Sequence, residues 1–163
     1  MPKIHEYEKV GPEYLADAAK CGRVRVSIPA SAEVIFEALK SEEAWKAMLP
    51  IDKAEWHGPL GKDTSRTIGA KDAEMLEQFF EWEEGRKFGF RLDRGTVGIL
   101  KAMAEHYEVV PKSDTTSEVL ITYRIETKGL AKPLGPILMS VFKLAGKNSM
   151  KKLSAYIVEN TII

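Results

Sequence analysis

RVRVSIPASAEVIFEALKSEEAWKAMLP, residues 23–50, is the stretch that decides how the chain folds. Val24, Val26 and Ile28 alternate with Arg23, Arg25 and Ser27, the period-two pattern of a half-buried strand. After Pro29 the period changes. Ser31 stands where an N-cap belongs, and Ala32, Ile35, Phe36 and Leu39 then recur along one helical face. Ser41 is placed to cap a second short helix. Glu42 and Glu43 fall in its first turn, where the helix dipole favours negative charge, and Ala44, Trp45 and Met48 turn inward. A strand that leads into two helices instead of a hairpin must find its sheet neighbours later in the chain, and the helices then plug one end of the sheet.

Downstream, the pattern is that of six strands, near 52–57, 64–70, 74–83, 86–93, 101–110 and 117–127. They are punctuated by GPLGKD, GAKD, EEGR, DRGTVG and PKSDTTS, and links this short imply an antiparallel meander. From Pro136 to Glu159 only Gly146 interrupts a helical pattern, which predicts a rod of roughly 36 Å with Pro136 at its first position. Residues 1–20 are polar and weakly patterned, and read as an arm with a short helix in PEYLADAAK; residues 21–163 read as one domain. The expected fold is therefore α+β, a curved antiparallel sheet of about seven strands wrapped around a long C-terminal helix.

Composition narrows the function. The 24 basic residues are balanced by 24 acidic ones, so the excess positive charge that general nucleic-acid binding requires is lacking. One cysteine, Cys21, forms no internal disulfide and fits a reducing compartment. No apolar run has the length of a signal peptide or of a membrane span, and the expected location is cytoplasmic. His5, His57 and His106 are far apart and no Gly-rich phosphate loop occurs, so neither a metal nor a cofactor is expected.

The order of elements, together with VSIPASAEVIFEALKSEEAW, LEQFFEWEEGRKFGFRL, EHYEVVP, SEVLITYRI and KKLSAYIVEN, resembles the polyketide cyclase/dehydrase-like branch of the START/Bet v (SRPBCC) superfamily over residues 21–160. Pro29, Ala30, Val34, Glu77, Phe88, Phe90, Val119, Ile121, Tyr123, Leu153, Tyr156 and Glu159 sit at matching places. Ile35 departs from the tryptophan common at its position, and Ser41 from the usual aspartate. The resemblance implies a helix-grip fold with an apolar cavity for a lipid, polyketide, isoprenoid or other hydrophobic molecule. Some members of the superfamily are cyclases, many are carriers, and others act through protein partners.

Strand alternation nominates the lining of such a cavity. Val119, Ile121, Tyr123 and Ile125 share one face, Leu76, Gln78, Phe80 and Trp82 another, and Phe88, Phe90 and Leu92 a third. Over 103–109, Met103, Glu105, Tyr107 and Val109 are the larger inward set, with Ala104 and His106 as the alternative. The last helix carries an apolar stripe of Leu138, Val141, Phe142, Ala145, Ser149, Leu153 and Tyr156 that is narrow at Ala145, Gly146 and Ser149. Small side chains there leave space beneath the sheet. The expected ligand-binding set is Leu76, Gln78, Phe80, Phe88, Phe90, Met103, Glu105, Tyr107, Ile121, Tyr123, Phe142, Ala145 and Ser149.

Noncovalent binding of a hydrophobic small molecule is the favoured reading. Its rivals are a cyclase or dehydratase using Glu105, His106, Tyr107 and Tyr123 as acid-base groups, and a protein-interaction module. Lys143, Lys147 and Lys151, spaced four apart on the last helix, are expected to form a solvated face, with peripheral membrane contact as the alternative. The pattern does not specify an oligomeric state.

Overall fold

The computed structural model describes residues 2–161. A two-residue strand β1 (His5–Glu6) and two 3-10 turns (Pro12–Leu15 and Ala18–Lys20) make up the arm, in place of the one short helix expected in PEYLADAAK. There follow β2 (Gly22–Ile28), α1 (Ala32–Lys40), α2 (Glu42–Met48), β3 (Lys53–Trp56), β4 (Ser65–Ala70), β5 (Ala73–Glu83), β6 (Lys87–Gly95), β7 (Leu100–Pro111), β8 (Ser117–Thr127) and α3 (Gly135–Asn160). A 3-10 turn over Gly129–Leu134 leads into α3.

The sheet is antiparallel in the order β2-β8-β7-β6-β5-β4-β3, with β1 attached to β6. The first long strand thus pairs with the last, Val24 opposite Ile121 and Val26 opposite Val119, as the two intervening helices require. Both helices start on the expected serines: Ser31 Oγ accepts from the Val34 amide and Ser41 Oγ from the Ala44 amide, each at 3.3 Å. Trp45 locks the pair to each other by donating its indole N–H to the Leu39 carbonyl at 2.7 Å.

The core lies between the concave face and the helices. Ile35, Phe36, Leu39, Ala44, Trp45 and Met48 from the plug meet Val24, Phe79, Phe88, Phe90, Tyr107, Val109, Val119 and Ile121 from the sheet. Removing such side chains from water contributes about 1.5–3 kcal/mol each. Helix α3 packs on β2, β8 and α2. Its close approach to β2 depends on Gly146, where a Cβ would stand 3.2 Å from a Val24 methyl. The buried side of α3 comprises Ser149, Met150, Leu153 and Ile157, so Met150 and Ile157 join the stripe read from the sequence.

Strand β5 departs from strict alternation. Its pairing with β6 shifts register between Leu76 and Glu77 and again between Phe79 and Glu81. The second shift is a bulge that brings Phe79 and Trp82, three residues apart, onto the same face. Phe79 is wholly buried and Trp82 packs edge-on against Phe36 with ring centroids 5.7 Å apart.

The arm fills a fork in the sheet. Pairing between β6 and β7 ends at Arg91 and Ala104. Beyond that point the strands part, and the Tyr7 amide donates to the Asp93 carbonyl while the Glu8 amide donates to the Lys101 carbonyl, both at 2.9 Å. Tyr7 is buried. Its hydroxyl donates to the Val97 carbonyl at 2.9 Å and accepts from the Val97 amide at 3.1 Å. Further along, Tyr14 packs over Ala102 and Ala104 on the convex face, with the Arg124 guanidinium 4.2 Å from its ring centre.

Candidate functional site

Between the concave sheet and the first half of α3 lies a cavity of about 340 Å³. Leu138, Val141, Phe142, Ala145, Gly146 and Ser149 form its helix wall. The narrow waist leaves this room, and the Ser149 hydroxyl adds little polarity because it donates to the Gly146 carbonyl at 3.0 Å. The sheet wall is Val24, Ile68, Met75, Leu92, Leu100, Met103, Ile121 and Ile125, with Val97 and Ile99 from the turn before β7 and Trp45 and Leu49 from the plug. Val141, Ala145 and Ile99 line the cavity yet remain exposed, which marks its mouth.

Among these apolar walls stand Glu77, Glu105 and Tyr107. Glu77 is buried against Arg66, whose Nε lies 2.6 Å from its Oε2; side-chain exposures of 2% and 0% exclude solvent from the pair. The guanidinium carbon is 4.2 Å from the Trp45 ring centre and 4.9 Å from that of Trp56, so two indole faces share its charge. Its two terminal nitrogens make no hydrogen bond to protein atoms. Tyr107 donates its hydroxyl to Glu105 Oε1 at 3.2 Å, and its ring lies parallel to Phe88 at 5.0 Å.

Electrostatics separates the two carboxyls. Burial pushes Glu77 up, and the guanidinium beside it pulls it back. Glu105 has no cation of its own: burial, and then the neighbouring Glu77, push it up to about 8, against the Tyr107 hydrogen bond and the more distant Arg66. With no cation beside it, the Glu105 carboxyl is held protonated near neutral pH. Burial, reinforced by the adjoining Glu105, raises the Tyr107 hydroxyl well above its ordinary range. The cavity therefore presents one neutral carboxylic acid that can donate a hydrogen bond or a proton.

Of the residues nominated from the sequence, Met103, Glu105, Tyr107, Ile121, Phe142, Ala145 and Ser149 come together around the cavity. Phe88 and Phe90 face inward but pack behind it in the aromatic cluster with Phe79 and Tyr107. Tyr123 flanks it, its ring 4.7 Å from Phe142 and its hydroxyl donating to the Met139 carbonyl at 2.5 Å.

Leu76, Gln78 and Phe80 lie on the opposite, convex face. Leu76 borders a groove with Ile4 and Arg94, Gln78 donates to the Asp63 carbonyl at 3.0 Å, and Phe80 packs near Leu15 of the arm. Phase explains the difference: Glu77 and Phe79 take the inward positions, Glu77 because Arg66 faces it across the ladder, and the bulge then resets the count. His106 is also on the convex face, 3.5 Å from Glu81, and does not reach the cavity. Sequence reasoning misses Glu77 because it assigns charged residues outward; the available signal is Arg66, which shares a strand face with the apolar Ile68.

Among the described residues, no three His, Cys, Asp or Glu side chains are grouped so as to hold a metal ion, and no helix is long and apolar enough to cross a membrane.

Residues 21–158 match the family described as polyketide cyclase/dehydrase and lipid transport. An uncharacterized protein of Mycobacterium tuberculosis is 25% identical over 159 residues, covering 94% of this chain and 93% of its own length. A START superfamily protein from Mycobacterium smegmatis superposes with a TM-score of 0.72 at 14% identity, over 86% of this chain and 99% of that one. An aromatase/cyclase from Streptomyces sp. R1128 does so with 0.71 at 11% identity, over 84% and 92%, and norcoclaurine synthase from Thalictrum flavum with 0.65 at 16%, over 88% and 89%. At such identities the structural likenesses speak for the helix-grip fold alone.

Proposed function

The chain belongs to the polyketide cyclase/dehydrase and lipid transport family, and from that premise we propose that it binds a largely apolar small molecule carrying one hydrogen-bond-accepting oxygen. The observation that carries this reading is the cavity itself: about 340 Å³ of apolar space whose few polar groups include the neutral Glu105 carboxyl. Burial of ligand surface supplies the affinity, at about 25 cal/mol per Å² before the costs of association. A carbonyl or hydroxyl oxygen meeting Glu105 sets the orientation. The ligand-binding residues are Met103, Glu105, Tyr107, Ile121, Phe142, Ala145 and Ser149, together with Glu77, Met75 and Leu100.

Filling the waist tests the placement. Ser149→Phe puts a ring into the space beside Ala145 and is expected to abolish saturable binding of the uncharged dye N-phenylnaphthylamine while the circular dichroism spectrum stays unchanged. Dye binding equal to that of the unaltered protein would refute the placement.

One observation favours a second reading, a cyclase or dehydratase. A carboxylic acid with a pKa of about 8, hydrogen-bonded to a tyrosine in a largely apolar cavity, is suited to proton transfer near neutral pH. Mass spectrometry of a bound ligand recovered after incubation separates the two. Unchanged ligand supports carriage; loss of the elements of water, abolished in Glu105→Gln, supports catalysis.

A further inference from the structure

The half of α3 that walls the cavity carries a second apolar stripe, and no described part of the chain covers it. Leu134, the cap residue just before α3, and Ile137, Val141 and Leu144 within it keep 44%, 59%, 58% and 63% of their surface exposed. At 3.6 residues per turn they occupy one sector about 80° wide and about 15 Å long. Leu130, in the turn leading into the helix, is fully exposed. Single exposed leucines are ordinary, whereas a continuous row marks a surface that meets something. Val141 belongs to the row and to the cavity lining, so the row adjoins the mouth.

Charge identifies the partner. Between Lys128 and Val158 the chain has six lysines and no Asp or Glu, while the other 132 residues carry 18 basic groups against 24 acidic ones. All six lysines are exposed. Among the described residues none of the six forms an ion pair. Lysines elsewhere do pair, Lys53 with Glu74 and Lys87 with Glu81, both at 2.9 Å. Lys143, Lys147 and Lys151 run along the flank of the stripe that faces away from the cavity.

We infer that this surface docks the cavity mouth onto an anionic lipid bilayer. Leu130, Leu134, Ile137 and Leu144 enter the boundary between headgroups and acyl chains, and the lysine row meets lipid phosphates. A bilayer offers negative charge and an apolar phase side by side along the whole stripe. A second copy of this chain fits less well: a two-fold contact would set one lysine row against its mate, with no acidic residue in the segment to offset it. The inference stands whether or not the cavity binds the ligand class proposed above.

Co-sedimentation with phosphatidylcholine vesicles, with and without phosphatidylglycerol, tests it on the whole protein. Binding is expected only where phosphatidylglycerol is present, and it should weaken as salt rises from about 0.05 to about 0.5 M. Lys143→Gln/Lys147→Gln should lower the affinity about 30-fold. Ile137→Glu/Leu144→Glu should abolish binding; neither residue lines the cavity, so N-phenylnaphthylamine uptake should be retained and reports that the variant is folded. Equal binding to both vesicle types, no binding to either, or insensitivity to either variant would overturn the inference. So would a concentration-dependent dimer that Ile137→Glu/Leu144→Glu dissociates, since the stripe would then belong to a self-association surface.

Discussion

Replacing Glu105 by glutamine should change how stability depends on pH. In the folded protein the carboxyl ionises near pH 8, against an ordinary value of 4.5, because it is buried and stands near Glu77. Between those values the unfolded chain gives up this proton and the folded chain keeps it. A group held neutral by folding leaves the folded state progressively less stable as pH rises from 4.5 towards 8, after which the loss levels off. The limiting slope is about 1.4 kcal/mol per pH unit, so Glu105 alone removes roughly 2–3 kcal/mol between about pH 5 and pH 7. The glutamine of the variant cannot titrate. Its amide oxygen still accepts from Tyr107, and an unpartnered amide N–H adds a cost of about 1–3 kcal/mol that does not vary with pH. The signature is therefore a slope and not an offset: the stability difference, Glu105→Gln minus unaltered, should grow in favour of the variant by about 2–3 kcal/mol across that range. Urea denaturation followed by circular dichroism would read this as a relative midpoint shift of about 1 M. Carboxylates remote from Glu105 are common to the two proteins and cancel in the difference. Parallel pH profiles would refute the assignment of a neutral, buried acid to this position.

Other parts of the structure give equally direct expectations. Arg66→Met strands the Glu77 carboxyl in the core and should cost about 3–5 kcal/mol at neutral pH, less at acidic pH where Glu77 can take a proton; Arg66→Met/Glu77→Leu should recover most of it. A double variant no more stable than Arg66→Met would show that the pair is not coupled. Gly22→Ala drives a methyl into the Tyr123 ring, which lies directly across the ladder, and should destabilise by about 1–3 kcal/mol. The same change should weaken the hydroxyl tie from Tyr123 to the Met139 carbonyl, and an unaltered melting temperature would count against that close approach.

Much of this architecture could be read from local chemistry. Ser31 and Ser41 announce both plug helices, the Gly- and Asp-rich links separate the strands, and the Ala145, Gly146 and Ser149 waist marks where α3 leaves space. Alternation groups Met103, Glu105 and Tyr107 on one face because β7 is regular from Ala102 onward, and the structure decides for that face over the alternative of Ala104 and His106. It fails on β5 for two physical reasons. A bulge has no signature in LEQFFEWE, where aromatic residues occur in both phases. The inward carboxylate is admissible only because Arg66 is buried opposite it, a pairing set by register between strands and not by either strand alone. Phe80 turns outward onto a surface that the arm shelters, and nothing local to β5 foretells that shelter. Leu134, Ile137 and Leu144 fall outside the inward stripe read from the sequence, and it is the packing of α3 that leaves them uncovered among the described residues.

Synthesis runs from the N-terminus, whereas the fork that receives Tyr7 and Glu8 is built from Asp93, Val97 and Lys101. Tyr7 and Glu8 therefore leave the ribosome about ninety residues ahead of the strands that hold them, and stay unpaired until those partners exist. The arm is a latch that can shut only once the strands on both sides of it have been made.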